Sequence, residues 1–146
     1  MAELVREIMI DATPETIWPF LTEADRYIEW EGTEAEIDAR PGGIYRVLVA
    51  GQFPGVGEFV EVVPTSKVVF TFGWEQEGNP ITPGSTTVEI TLHPEGTKTR
   101  VRLVHSGLPA DAVDNHTSGW AHYLDRLAIR AAGGDPGPDD GPEGNG

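Results

Sequence analysis

Between residues 34 and 106 the chain is cut into short runs of alternating apolar and polar residues, and this punctuation restricts the fold more than any other feature. The runs 34–38, 44–50, 57–63, 68–74, 86–92 and 99–106 read as strands. Turn words separate them: Pro41 with Gly42 and Gly43, Gly51 through Gly55, Pro64 with Thr65 and Ser66, the Gly/Pro-rich stretch 75–85, and Pro94 with Gly96. Val68, Phe70, Phe72 and Trp74 share one face of their run, with Val69, Thr71 and Gly73 on the other. Val88, Ile90 and Leu92 alternate with Thr87, Glu89 and Thr91 in the same way. Val101, Leu103 and His105 alternate with Arg100, Arg102 and Val104. A period of two with one apolar side predicts strands buried on one face and wet on the other. Short strands joined by tight turns predict an antiparallel meander.

Helical signals flank the meander. Residues 4–10 predict a first strand. Thr13 then offers an N-cap oxygen and Pro14 suits the first helical position. Ile17, Phe20 and Leu21 fall on one helical face, while Pro19 deletes a backbone bond and should kink or shorten the helix. A second short helix is expected over 23–28. A long one is expected over 114–132, capped by Asp114 or Asn115. Its apolar stripe is His116, Trp120, Tyr123 and Leu127, widened by Leu124 and Ala128. Ser118, His122, Asp125, Arg126 and Arg130 are assigned to the opposite, solvated face. Gly133 and Gly134 stop the helix. The expectation is one α+β domain over 1–132. A disordered, acidic Gly/Pro-rich tail is expected over 133–146.

Composition excludes several function classes. With no cysteine, disulfides, thiol nucleophiles and Cys-based metal centres are out. The 24 acids outweigh 10 bases, giving a net charge of −14. Four of those acids lie beyond residue 132, and without them the charge is still −10. Such a surface repels phosphate backbones and anionic lipids, so neither nucleic acid nor membrane is expected as a partner. The start of the chain lacks a basic segment followed by a long apolar run, and no stretch is apolar enough for a membrane span, so a cytoplasmic location is expected.

The order of elements, with its local words, resembles a known family. The words are Ala12-Thr-Pro-Glu-Thr-Ile-Trp18, Arg40-Pro-Gly-Gly-Ile-Tyr-Arg-Val47, Val68-Val-Phe-Thr-Phe-Gly-Trp74 and Thr86-Thr-Val-Glu-Ile-Thr-Leu92. Two more follow, Thr99-Arg-Val-Arg-Leu-Val-His-Ser-Gly-Leu-Pro109 and His116-Thr-Ser-Gly-Trp-Ala-His-Tyr-Leu-Asp-Arg-Leu127. Together they resemble the bacterial AHSA1-like branch of the START-like, or SRPBCC, superfamily, named after the C-terminal domain of an activator of the Hsp90 ATPase. The resemblance implies a helix-grip (START-like, Bet v 1-like) fold, in which about seven antiparallel strands curve around a long C-terminal helix, with two short helices after the first strand. That fold hosts lipid carriers, hormone receptors, cyclases and aromatases, so it does not choose a function.

In such a fold the apolar faces of sheet and helix meet around a pocket. Phe59, Phe70, Phe72 and Trp74 from the strands and Trp18, Trp120 and Tyr123 from the helices are the candidate lining. The same aromatics serve equally as core filling, and both readings stay open. His105 is in register with Val101 and Leu103, and His116 opens the helix stripe, so both are candidates for ligand contact. Each is either an acid–base group or a buried imidazole satisfied by a neighbour. His116 and His122 diverge by about 120° around a helix and cannot share a metal. No metal, cofactor, nucleophile elbow or phosphate loop is expected. The leading expectation is a non-enzymatic binder of a small hydrophobic molecule: a lipid, a polyketide or an aromatic. A cyclase- or dehydratase-like enzyme using His105 or His116 is the alternative, and a chaperone-associated interaction domain is a third. A homodimer through a sheet edge or helix face is also open.

Overall fold

Each turn word between residues 34 and 106 joins two hydrogen-bonded neighbours in the computed structural model, which describes residues 2–138. The strands are β1 (Ala2–Ile10), β2 (Glu34–Ile37), β3 (Ile44–Val49), β4 (Phe53–Val63), β5 (Lys67–Trp74), β6 (Thr86–Glu95) and β7 (Lys98–Leu108). They form one antiparallel sheet in the order β1-β7-β6-β5-β4-β3-β2. β2 to β7 are the expected meander. β1 closes the far edge on β7, with Leu4 opposite His105 and Ile8 opposite Val101.

β4 begins earlier than its sequence suggests. Ala50 and Gly51 both take the left-handed conformation (φ 54° and 72°), which tightens the turn and lets Phe53 pair with Val49. A bulge between Phe59 and Glu61 then resets the alternation of β4. Phe59 points inward and is 1% exposed, whereas Glu61 faces out and pairs with Lys67 at 3.1 Å. Glu58 is exposed as well.

Helix α1 (Pro14–Thr22) starts where the cap chemistry places it, with the Thr13 hydroxyl accepting from the Thr16 amide. It carries Pro19 inside and ends at Thr22. Helix α2 (Ala24–Tyr27) follows at once. The long helix α3 (Val113–Ala131) is not capped by Asp114 or Asn115. A 3₁₀ turn over Ala110–Ala112 runs directly into it, so the helix starts one residue early and Asp114 falls in its first turn. There a carboxylate favours the helix dipole without serving as the cap.

The core lies between the sheet and α1 and α3. Val47, Val68, Val88, Val101, Leu103 and Leu127 are fully enclosed. Each such side chain contributes about 1.5–3 kcal/mol, against at most about 1 kcal/mol for a half-exposed surface pair such as Arg102–Glu7. The sequence assignment of Arg126 to the solvated face of α3 is corrected: it is 8% exposed. The chain after α2 and the segment after α3 both cover it. Its Nε donates to the Trp30 carbonyl at 2.9 Å, and its other nitrogens donate to the carbonyls of Pro136, Gly137 and Pro138. The first part of the expected tail, residues 134–138, thus has no helix or strand but lies across Arg126. Residues 139–146 are outside the described residues.

Candidate functional site

β5 and β7 present their inward faces side by side across β6, and α3 brings its first turns over them. Parity decides what meets there. Phe70 and Phe72 are 1% and 3% exposed, His105 is wholly buried, and Trp74, at the strand end, is half-buried. Gly55 on β4 makes the space for Phe72, because a Cβ there would sit 2.5 Å from the ring. The aromatic rings form a connected row. Tyr45 stacks on Phe70 at 4.0 Å, and Phe59 meets both edge-on. Phe72 lies between Tyr45, Trp74 and His105. Trp74 finally meets Phe53, which is 37% exposed. The row therefore runs from the sealed interior to the surface at one end of the sheet.

Two histidines sit beside this row with ring centres 5.6 Å apart. The Trp120 indole N–H donates to His105 Nδ1 at 3.0 Å. The ring proton of His105 is therefore on Nε2, which donates to the Thr86 hydroxyl at 2.8 Å. Thr86 passes its own proton to the Phe72 carbonyl at 2.7 Å. His116 is arranged the other way round. Its Nδ1–H donates to the Ala112 carbonyl at 2.9 Å, and its Nε2 accepts from the Trp74 indole at 3.2 Å. Each imidazole is neutral and uses both nitrogens. Burial pulls the His105 pKa down to about 3, with the neighbouring His116 adding to the effect. Burial lowers that of His116 too, partly offset by the Ala112 carbonyl.

Of the sequence candidates, Phe59, Phe70, Phe72, Trp74, His105, His116 and Trp120 come together here. Tyr123 is buried on the same helix stripe, further along α3, with its ring against His122. Trp18 is half-buried on α1 and joins none of the ring contacts among the described residues. Sequence reasoning missed Thr86, although it lies two residues before Val88 on the inward face of β6. It also missed Tyr45, which shares its face with Val47 and Val49.

A second buried polar cluster lies at the α2 end. The Tyr27 hydroxyl donates to Glu31 at 2.9 Å and lies 2.7 Å from the Tyr45 hydroxyl. Burial first, then the Glu31 charge, holds both phenols well above their ordinary range, so they stay protonated donors. On the outer side of the sheet, Gly57, Glu58, Thr71, Pro83 and Gly84 line an open groove, away from the rings. Among the described residues no group of three or more His, Asp or Glu side chains is placed to hold a metal. No described helix is long and apolar enough to cross a membrane.

The comparisons with known proteins agree with this architecture. The family model "Activator of Hsp90 ATPase homolog 1-like protein" matches residues 11–132. The solution structure of an AHSA1-like protein from Rhizobium etli is 42% identical, with a TM-score of 0.73, covering 94% of this chain and 86% of that one. The crystal structure of CalU16 from Micromonospora echinospora is 26% identical, with a TM-score of 0.73 and coverage of 93% and 77%. The Aha1 dimer from Colwellia psychrerythraea, 21% identical over 92% of this chain and 98% of that one, has a TM-score of 0.79 and shares the fold. No curated protein matches the chain.

Proposed function

Since this chain belongs to the family of Activator of Hsp90 ATPase homolog 1-like proteins, whose fold sets a curved sheet against one long helix, we propose that it binds a small, largely apolar molecule between that sheet and α3. One observation carries the reading: the ring row that reaches from buried Tyr45 and Phe70 out to half-buried Trp74 and exposed Phe53. A small domain fills its core with aromatics in any case, but a continuous row that surfaces at one end also offers a path inward. Ligand enters there, displaces Trp74 and lies against Phe72 and Trp120.

Binding without chemistry fits the hydrogen bonding. A general base needs a free lone pair aimed at the substrate. Before ligand enters, indole N–H groups occupy the acceptor nitrogens of both His105 and His116, and entry past Trp74 releases only that of His116, while His105 stays bound to Trp120. Titrating a panel of aromatic and acyl compounds tests the proposal, with the indole N–H signals followed by NMR. The expected result is saturable movement of the Trp74 and Trp120 signals by at least one member. A broad panel that leaves both unmoved removes the reading.

A further inference from the structure

The pairing of Trp74 with His116 carries information about the ligand that the apolar wall does not. Trp74 ends β5, is half-buried, and gives its indole N–H to one acceptor, His116 Nε2. Behind it lie Phe72 and His105. Anything that reaches them along the ring row has to part this bond. Parting it leaves an indole donor and an imidazole acceptor facing the same gap. Each unpaired group then costs more than the bond itself contributed. The imidazole cannot recover by turning, because its Nδ1–H is held by the Ala112 carbonyl. The gap therefore asks for an acceptor and a donor together, on neighbouring atoms.

Charge sets the second condition. The residues that follow Trp74 and lead into α3 include Glu75, Glu77, Asp111 and Asp114. Arg46 reaches this end, but its guanidinium is bound to Glu75 at 2.7 Å. Arg126 is tied to carbonyls further along α3. A carboxylate or phosphate would offer no donor to His116 and would find the Arg46 guanidinium already paired.

We infer that Trp74 and His116 form a hydrogen-bonding port for an uncharged planar ligand with a carboxamide-like edge. Its carbonyl takes the Trp74 N–H, and its adjacent N–H or O–H donates to His116 Nε2. The inference rests on the binding reading above and narrows it to neutral donor–acceptor ligands, against fatty acids and other anions.

Three probes of one shape test it on the full-length protein: 2-naphthamide, 2-acetylnaphthalene and 2-naphthoate. The amide has both groups, the ketone lacks the donor, and the carboxylate lacks the donor and adds charge. The expected result is that the amide binds roughly tenfold tighter than the ketone, the worth of one hydrogen bond, with the carboxylate weakest. The Trp74 indole N–H signal should move with the amide. In Trp74→Phe amide and ketone should weaken together, since both lose the donor to their carbonyl, whereas in His116→Phe the preference of amide over ketone should collapse to near unity. Equal affinities of the three probes for the unaltered protein would overturn the port and leave apolar binding standing. So would an amide preference that survives in His116→Phe. If none of the probes moves any indole signal, the port falls, and the broad panel described above decides the binding reading. The unaltered protein decides the first point, so the test holds even if a variant folds poorly.

Discussion

The two ends of α3 are held by opposite chemistry. At the N-terminal end His116 and, across from it, His105 are neutral rings, each joined to an indole by one N–H. At the C-terminal end Arg126 and Arg130 are permanent cations. Arg126 spreads its donors over four carbonyls, and Arg130 meets Glu29 at 2.6 Å. The first end depends on protonation state and on one indole hydrogen bond to each ring. The second depends on neither, since arginine keeps its charge and its bonds act together. The helix is therefore held by charged groups at one end and by neutral rings at the other, and the neutral end is where the ring row surfaces.

Acid should break this contrast most strongly. His105 has an ordinary pKa of 6.5 when unfolded and about 3 when folded, so the unfolded chain binds the proton more readily. Its contribution is complete above pH 6.5 and is lost as pH falls from there toward 3. Between pH 7 and 4.5 that single ring should cost roughly 3 kcal/mol of stability. Urea unfolding at the two pH values checks this. His105→Gln should show a shallower pH dependence by about that amount, and an unchanged slope would show that the ring does not stay neutral.

At the charged end, Arg126→Met keeps the stem but removes every donor. Losing them leaves the buried Trp30 carbonyl unpaired, and stability should fall by roughly 2 kcal/mol at pH 7 and at pH 4.5 alike. A pH-dependent loss would mean the two ends are not independent. Gly55→Ala, beside the row, drives a methyl into the Phe72 ring and should cost about 1–3 kcal/mol by overpacking. It should also weaken any ligand that uses that ring, which the indole NMR titration would report. Trp74→Phe should cost at most about 1 kcal/mol, since the side chain is half-buried and gives up one neutral hydrogen bond. Glu29→Gln should be smallest, near 0.5 kcal/mol, because both partners of that ion pair meet solvent. Thermal or urea midpoints rank the set, and a larger loss at Glu29 than at Arg126 would invert the comparison.

Most of the fold was legible because alternation and turn words are local. The run from Val68 to Trp74 faces the way its parity says, and His105 is inward because it shares that parity with Val101 and Leu103. What parity cannot supply is the partner. Trp120 reaches His105 from another element, and Trp74 reaches His116 from 42 residues away, so the tautomers follow only from the assembled packing. The Arg126 error has the same origin. A helical wheel assigns a face relative to the sheet, and it is blind to the chain segments near Trp30 and Pro136 that roof that face. The β4 bulge defeated the alternation rule outright, since one extra residue lets both Phe59 and Glu61 satisfy their preferences.

The pairing of β1 with β7 also governs how this chain can be made. Leu4, Ile8 and Ile10 lie on a strand whose hydrogen-bonded neighbour, β7, is synthesised last among the strands. Thr99 on that neighbour then bonds back to the Ala12 carbonyl at 2.7 Å. On the ribosome the first strand emerges early and has to wait, unpaired, until residues 98–108 clear the exit tunnel. The β2–β6 meander can form in the interval from contacts near in sequence, whereas pairing β1 with β7 brings together residues roughly 100 positions apart, a slower kind of step than closing a hairpin. The N-terminal strand is thus the segment most in need of protection during synthesis, and β7 is what ends that need.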